Sequence, residues 1–426
     1  MKPELLEVPF GVSDREWAEE WAGRLDDLLV EVGRFFGRVE TQWRGEACIR
    51  GLLGPASRKN GWQLAEHAGD RAPWNQQHLL DRARWDVEGV RDFTRRYAVA
   101  QLADGGVGAG PGGAGVLVVD ETGFAKRGKA SAGVARQYSG ALGGVFPCQV
   151  GVMAAWATGA GQTLIDRELY LPKEWTDAPK RCRDAHVPPE RGFLTKPRLA
   201  EAMIARALPD LPGGAGAVWV AADEVYGREQ AFRSFLEERR LPYVVNIQAN
   251  TPVMARPGWR HAARLVERVA REEDWVELAA GPSQLDTRTW QWWVRRLPGP
   301  GDPADEEVWA RWFIARRRCE EPGKRDYYLG WGPADTPVEE IVLVPGARWR
   351  VEEAIKLGKS ACGLADYEVR SFHGWYRHIT LAQLAAAFLA GCDAATARES
   401  GPLASTRFGQ PPPTAAAGGG QRGGRS

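Results

Sequence analysis

Apolar positions in the first hundred residues recur at helical spacing. The clearest series combines tryptophan, leucine, valine and phenylalanine at Trp17, Trp21, Leu25, Leu28, Leu29, Val32, Phe35 and Phe36. Recurrence every three to four residues predicts a helix with one buried face. Shorter segments of the same kind follow, separated by Gly and Pro. The pattern therefore predicts a helical N-terminal domain over residues 1–103.

After a Gly-rich stretch at 104–115, which has the composition of a flexible linker, the pattern changes to short apolar runs. VLVVD (116–120), AVWVAAD (217–223) and YVVNIQ (243–248) predict strands, and residues 196–208 predict a helix between them. Strands that alternate with helices indicate an α/β domain.

Beyond residue 250 the chain changes character twice. Residues 251–345 are rich in Trp and Arg in strand-like runs, which predicts a β-rich insertion. Helical patterns return over 346–395, so the α/β core comprises 116–250 and 346–395. The low-complexity residues 396–426 predict a disordered tail.

Composition narrows the class of protein without identifying a partner. The chain has 426 residues, of which 44% are apolar and 26% charged, and Lys+Arg (56) nearly cancel Asp+Glu (55). No run of 18 apolar residues and no signal-type N-terminus are present, so we expect a cytoplasmic protein that does not enter a membrane. The six cysteines form no CxxC pair, which disfavours a disulfide framework and a zinc ribbon.

The segment GFAKRGKAS (123–131) is one residue short of a phosphate-binding P-loop. A P-loop requires Ser or Thr directly after its lysine, whereas Ala130 follows Lys129. The next residues, SAGVARQYSGALGG, are too rich in glycine to open a helix toward a phosphate. A glycine-rich hairpin with basic residues at its tip is the better interpretation.

Two aspartates each end an apolar strand. Asp120 follows Val116–Val119, and Asp223 follows the strand that begins at Ala217. An aspartate at a strand end is most often a turn residue or a helix cap. Two such ends in one α/β domain would bring two carboxylates together, and carboxylate oxygens are the ligands that magnesium prefers.

A third carboxylate lies in the helical pattern ARWRVEEAIKLGKSACGL. At 100° per residue, Arg348 and Lys359 lie within roughly 40° of Glu352, whereas Glu353 is turned away by roughly 100°. A solvated ion-pair face would produce the same pattern. Val351, Ala354, Gly358 and Cys362 form a separate small apolar face for packing.

The segments VVDETGFAKRGKASAGVARQYSGALGGVFPCQVGV, VAADEVYG and RWRVEEAIKLGKSACGLADYEVRSFHGWYRHITLAQLAAAFL together resemble the catalytic core of bacterial insertion-sequence transposases of the RNase H-like, Asp-Asp-Glu type. The resemblance covers roughly residues 40 to 390. It implies a mixed sheet flanked by helices, with a β-rich insertion before the helix of the catalytic glutamate and an N-terminal DNA-binding domain.

By this resemblance Asp120, Asp223 and Glu352 match the catalytic, metal-binding carboxylates. In relatives with a Tyr-Arg-Glu-Lys signature, Arg348 and Lys359 match the residues on either side of the glutamate, whereas the tyrosine position holds Pro345. The implied reaction is metal-dependent cleavage at element ends and strand transfer into target DNA.

Such phosphoryl transfer uses two Mg²⁺ ions about 3.5–4 Å apart, for which Mn²⁺ substitutes. The expected partners are double-stranded DNA (terminal inverted repeats and target) and a second copy of the chain in the synaptic complex. A transposase-derived DNA-binding protein without turnover is the alternative that Pro345 leaves open.

Several basic and aromatic residues have two interpretations. Arg348, Lys359, Lys126, Lys129 and Arg136 are candidate DNA contacts, and a solvated loop is the alternative for the last three. The run TWQWWVRRL (289–297) would either stack on bases or bury its tryptophans in a hairpin. His378 precedes a run of core positions, and we expect it to be structural.

Overall fold

A computed structural model describes residues 12–103, 110–113, 115–140, 143–213, 216–255, 258–278, 290–298 and 308–400. Most of the predicted linker, residues 104–109 and 114, lies outside these ranges, as do residues 401–426 of the predicted tail. Residues 396–400, which we expected in that tail, instead belong to the last described helix.

The N-terminal region is helical, as its apolar spacing predicts. Its helices are α1 (Val12–Gly33), α2 (Val39–Leu53), α3 (Gly61–His67), α4 (Trp74–Asp81) and α5 (Val87–Gln101). Side chains cap two of them at the N-terminus: Asn60 accepts backbone N–H bonds at α3, and Asp86 accepts one at α5. The leucines and aromatic residues of the predicted apolar series, from Leu28 to Phe36, contribute to a buried cluster.

The strands of the α/β region combine into one mixed sheet. They are β1 (Val116–Ala125), β2 (Ala135–Ser139), β3 (Gly144–Thr158), β4 (Gly161–Tyr170), β5 (Trp219–Ala222) and β6 (Tyr243–Ile247). β1 pairs in parallel with β5, and β5 with β6, whereas β3 pairs antiparallel with β1, β2 and β4. The predicted fold class, a mixed sheet flanked by helices, is confirmed.

Alternate side chains of β1 enter two different cores. Val116 and Val118 pack in the cluster on one face of the sheet, and Leu117 and Val119 pack in the cluster on the other. This alternation follows from the pleat of a strand, which has a period of two residues. It also fixes the faces toward which the next two residues of the strand project.

Helices cover both faces of the sheet. They are α6 (Lys173–Thr176), α7 (Pro179–Asp184), α8 (Lys196–Ala207), α9 (Glu224–Gly227), α10 (Gln230–Glu238), α11 (Ala262–Val269), α12 (Val338–Ile341), α13 (Leu343–Ala361) and α14 (Phe372–Ser400). Helix α13 contributes Val351 and Ala354 to the core that contains Val116. Helix α8 contributes Leu199 and Met203 to the core that contains Leu117.

The predicted β-rich insertion extends the same sheet. Its strands are β7 (Pro252–Ala255), β8 (Gly258–His261), β9 (Val276–Leu278), β10 (Trp290–Leu297), β11 (Trp309–Arg318) and β12 (Arg325–Pro333). β12 pairs antiparallel with β6, and β11, β10 and β9 follow outward, while β7 and β8 form a separate hairpin. In β10 Trp292 and Trp293 are buried, so packing is the correct interpretation for these two tryptophans.

Helix α14 joins the N-terminal region to the sheet. It packs against α2, α4 and α5 on one side and against β4 on the other. Within the described residues, Phe372–Arg398 is the stretch long and apolar enough to cross a membrane, yet 83% of its most apolar window is buried inside the protein. That burial is typical of a core helix. His378 is fully buried on this helix and its Nε2 lies 2.8 Å from the Gly363 carbonyl oxygen, which confirms its structural role.

Candidate metal centre

The ends of two parallel strands bring Asp120 and Asp223 together. The β1–β5 register ends with the pair Val119 and Ala222, and each of these residues is followed by an aspartate. The strands that carry them are buried, so the backbone of both aspartates is held firmly. The arrangement therefore needs no loop to bring the two carboxylates together.

A short helix fixes the second aspartate. Asp223 is the N-cap of α9, and its Oδ1 accepts a 2.8 Å hydrogen bond from the Val225 N–H. Helix α9 lies so close to β6 that a Cβ at Gly227 would approach the Asn246 carbonyl oxygen to 1.9 Å. Only glycine permits this approach, and the Gly227 N–H donates a 2.8 Å hydrogen bond to the Asp223 carbonyl oxygen.

Three carboxylates meet at this edge of the sheet. Oxygens of Asp120, Glu121 and Asp223 all lie within 4.8 Å of one another. A group of carboxylate oxygens at this spacing is a donor set suited to a hard divalent cation. Glu121 belongs to this group although the sequence did not single it out.

The three carboxylates give the centre an excess of negative charge. Burial, together with the Asp223 carboxylate, raises the pKa of Asp120 to about 7. Burial and the neighbouring Glu121 carboxylate raise the pKa of Asp223 to about 6. Both shifts mean that the ionised carboxylates need a positive charge beside them.

Helix α13 places Glu352 beside Asp120 but not within the group of three. The guanidinium of Arg348 lies between them, with its Nη2 3.0 Å from Glu352 Oε1 and its Nη1 3.4 Å from Asp120 Oδ2. The Glu352 side chain is 46% exposed, whereas that of Asp120 is 13% exposed. In the described chain Arg348 is thus the cation that connects the two carboxylates.

The other carboxylate of the helical pattern, Glu353, lies elsewhere. Its Oε2 accepts a hydrogen bond of 3.2 Å from Gln162, and burial raises its pKa. The apolar face predicted for this helix is confirmed, because Val351, Ala354 and Gly358 are buried. Pro345 is also buried, in the first turn of α13, where a missing N–H removes no helical hydrogen bond.

The pleat of β1 explains why Asp120 and Glu121 have different partners. Asp120 has the parity of Val116 and Val118, which places it on the α13 side, next to Arg348. Glu121 has the opposite parity and meets residues of α8 and α9. Its Oε1 is 2.5 Å from the Lys196 ammonium, and its Oε2 accepts a 2.9 Å hydrogen bond from the Tyr226 hydroxyl.

Two of the predicted DNA-contacting lysines are engaged with the protein. Lys359 donates to Thr122 Oγ1 at 2.7 Å and to the Gly123 carbonyl oxygen at 3.1 Å, and burial lowers its pKa. Lys126 lies 3.5 Å from the centre of the Tyr367 ring and donates to the Tyr367 carbonyl oxygen. Burial lowers the pKa of Lys126 to about 8. Both ammonium groups therefore hold the end of β1 and the loop after it.

The other two basic candidates project outward. Lys129 and Arg136 are exposed, and the carbonyl oxygen of Lys129 accepts a 3.1 Å hydrogen bond from Arg181. The chain after Lys129 enters β2 rather than a helix, so this segment is not a P-loop. The expected hairpin is wrong in its pairing, because β2 pairs with β3 and β1 pairs with β3 on its other edge.

Comparison with known proteins adds two matches. The family model described as DDE superfamily endonuclease matches residues 34–296, which is more than half of the chain and includes Asp120 and Asp223. A probable transposase for insertion sequence element IS701 from Microchaete diplosiphon is 25% identical over 333 residues, covering 76% of this chain and 75% of the relative. The family match thus includes β1 and β5, the strands that carry Asp120 and Asp223.

Proposed function

Since the chain belongs to the DDE superfamily endonucleases, we propose that it is an insertion-sequence transposase, which cleaves double-stranded DNA at the ends of its element and joins those ends to target DNA. The observation that supports this most strongly is the convergence of Asp120, Glu121 and Asp223 oxygens at the ends of β1 and β5. A second copy of the chain would bring the other element end, and the cytoplasm is the expected compartment.

The donor set fits a divalent cation of the kind the family uses. All candidate ligands are carboxylates, and burial and carboxylate repulsion raise the pKa values of Asp120 and Asp223, so a cation would replace the protons. We propose that Asp120, Asp223 and Glu352 hold Mg²⁺, with Mn²⁺ as a substitute. Bound there, the metal supplies charge neutralisation at the phosphate and a more acidic attacking oxygen.

The reaction that we propose has two steps, a hydrolysis followed by a transesterification. Water attacks the phosphodiester at the element end and forms a new P–O bond, the P–O3′ bond breaks, and the leaving oxygen takes a proton, which yields a 3′-hydroxyl on one side and a 5′-phosphate on the other. That 3′-hydroxyl then attacks a target phosphodiester, forming a new P–O bond and releasing a target 3′-hydroxyl. The rigid positions of Asp120 and Asp223 allow one site to serve both steps.

Basic residues around the centre have separate proposed roles. Arg348, 28% exposed and beside two carboxylates, would contact the scissile phosphate. Lys129 and Arg136, both exposed, would contact the DNA backbone away from the reacting bond. Lys126 and Lys359 would support the DNA-facing loop from behind. The helices before residue 103 would bind the terminal repeats.

Cleavage of end-labelled DNA that carries the element's own termini tests the proposal. With Mg²⁺, the unmodified chain should produce nicked strands with 3′-hydroxyl ends, and Asp120→Ala, Asp223→Ala and Glu352→Gln should each abolish the product. Glu353→Gln is the matched control, because Glu353 bonds to Gln162 on another face of α13.

Full cleavage by all three variants would show that the assignment is wrong. DNA binding by the unmodified chain without any cleavage would support the alternative, a transposase-derived DNA-binding protein.

A further inference from the structure

We propose that Tyr226 and Lys196 act through Glu121 as positioning residues that fix the separation of the Asp120 and Asp223 carboxylates. The inference rests on the proposed function, in which those two aspartates hold the cation. In this arrangement Glu121 links the ends of β1 and β5 and is not one of the metal ligands.

The link joins Glu121, the residue after Asp120, to Tyr226, the third residue after Asp223. Glu121 follows Asp120 in β1, and Tyr226 lies in α9, which Asp223 caps. The 2.9 Å hydrogen bond from the Tyr226 hydroxyl to Glu121 Oε2 therefore closes a link across the ends of β1 and β5. The β1–β5 pairing ends at Val119 and Ala222, so the backbone ladder does not extend across this gap.

Glu121 is already occupied by protein donors. Lys196 lies 2.5 Å from Oε1 and Tyr226 lies 2.9 Å from Oε2, so each oxygen has its own donor. Asp120 has weaker partners: its Oδ1 accepts a 2.7 Å hydrogen bond from the Glu121 backbone N–H, and its Oδ2 lies 3.4 Å from the Arg348 guanidinium. A carboxylate that is paired with an ammonium at 2.5 Å is a weaker candidate ligand than one whose nearest cation lies 3.4 Å away.

The donors themselves are held rigidly. Tyr226 is fully buried, with its ring 5.9 Å from that of Phe232. Burial and the surrounding carboxylates raise the pKa of Tyr226, so its hydroxyl keeps its proton and donates. Lys196 is the first residue of α8, directly after the N-cap Thr195. A hydrogen bond between rigid elements transmits position, as the outer groups around metal ligands generally do.

The test uses Tyr226→Phe, with Tyr243→Phe as its matched control. Tyr243 is also buried and donates a 2.8 Å hydrogen bond to a glutamate, Glu237 Oε1, at another part of the sheet. Mn²⁺ binding to the metal-free full chain is measured by electron paramagnetic resonance. Thermal unfolding and DNA cleavage over a range of Mg²⁺ concentrations are measured alongside it.

We expect Tyr226→Phe to weaken Mn²⁺ binding about 10-fold and to raise the half-activating Mg²⁺ concentration by a similar factor. Cleavage at saturating Mg²⁺ should stay within about threefold of the unmodified chain, since the ligands themselves remain. Tyr243→Phe should lower the melting temperature about as much and leave Mn²⁺ binding unchanged. Lys196→Met should also weaken Mn²⁺ binding. The Lys196 side chain is 21% exposed, so this substitution leaves no buried cavity.

Two results would overturn the inference. One is Mn²⁺ binding by Tyr226→Phe and Lys196→Met equal to that of Tyr243→Phe. The other is a loss of Mn²⁺ binding in Glu121→Gln far larger than in Tyr226→Phe, which would make Glu121 a ligand. Unchanged Mn²⁺ binding in Asp120→Asn and Asp223→Asn would instead reject the proposed metal site itself, so the two failures are distinguishable.

Discussion

Two acidic clusters in this protein have opposite charge balance. On β4, Asp166 and Glu168 are surrounded by guanidinium groups: Arg206 donates to Asp166 at 3.1 Å and to Glu168 at 2.8 Å, and Arg191 donates to Glu168 at 2.9 Å. At the ends of β1 and β5, Asp120 and Asp223 face each other. The carboxylates on β4 are compensated by the protein, whereas those at the strand ends are compensated only in part, by Arg348.

The difference separates a structural cluster from the one at which we propose that a metal binds. Buried charges are stable when they are paired or when they bind a metal. On β4 the protein supplies the pairs: burial lowers the pKa of Arg206, but the Asp166 and Glu168 carboxylates outweigh it and leave that pKa raised. At the strand ends burial and repulsion raise the pKa values of Asp120 and Asp223 instead. Charge balance, more than the number of acidic residues, distinguishes the two.

The largest effect should come from the compensated cluster. Asp166→Asn removes a fully buried partner of Arg206, and we expect the free energy of unfolding to fall by about 3–4 kcal/mol. Urea denaturation measures this. The control is Asp184→Asn, in the exposed pair with Lys180, which should give no measurable change. Equal effects of the two substitutions would mean that burial of the pair is irrelevant.

In the cluster at the strand ends, loss of an acidic side chain should raise the free energy of unfolding rather than lower it. In EDTA at pH 8, Asp120→Asn should raise the free energy of unfolding by about 1–2 kcal/mol, because it removes a buried charge that Arg348 balances only in part. Urea denaturation under the same conditions as for Asp166→Asn gives the comparison. A loss of stability as large as that of Asp166→Asn would refute the distinction between the clusters.

The pH dependence of stability should reflect the raised pKa of Asp120. Unfolded aspartate titrates near 3.8, whereas Asp120 in the folded chain titrates near 7, so the folded state retains the proton over this interval. Its contribution to stability is therefore present below pH 3.8 and is lost as the pH rises through 7. Mg²⁺ should raise the melting temperature by about 2–3 °C at pH 8 and by less than about 1 °C at pH 5.

Asp120→Asn is the control for this measurement and should abolish the Mg²⁺-induced rise at pH 8, because it removes one of the proposed ligands. A Mg²⁺ effect of equal size at both pH values, in both chains, would place cation binding elsewhere.

Arg348 should have the smallest effect, because it balances the strand-end cluster only in part. Arg348→Met should lower the free energy of unfolding in EDTA by about 1 kcal/mol, and saturating Mg²⁺ should reduce that difference, since the metal supplies the missing charge. Lys356→Met, at an exposed position of the same helix, is the control and should have no such Mg²⁺ dependence. A difference that grows with Mg²⁺ would contradict this account.

The sequence predicts the aspartates better than it predicts their surroundings. Asp120 and Asp223 each follow an apolar run, and parallel strands end at one edge, so their meeting follows from the pattern. Glu121 carries no such signal, because an acidic residue after a strand end is usual in turns. Its role depends on Tyr226, more than a hundred residues away. Only the pleat of β1, extended past its apolar run, would have indicated the face toward which Glu121 projects.

The remaining differences between prediction and structure concern strand pairing and the burial of side chains. The sequence pattern predicts the strands of the insertion. The alternation of apolar and polar residues is the same whether these strands form a sheet of their own or extend the sheet of the core, so the pairing of β12 with β6 could not be derived from it. Lys126 and Lys359 lie in basic segments typical of DNA contacts. Their ammonium groups instead meet carbonyl and hydroxyl oxygens, because α13 and the segment around Tyr367 pack over the end of β1.

Helix α14 has a consequence for how the chain is made. The core of the N-terminal helices includes Leu28 and Leu52, and it is completed by Leu384 and Phe388, more than 330 residues later. During synthesis those helices leave the ribosome long before their packing partner does. Their apolar surface must stay open, or be covered by a chaperone, until α14 emerges. The core of the N-terminal helices is therefore completed only after Asp120, Asp223 and Glu352 have all been synthesised, and a chain that ends before α14 lacks the residues that close this core.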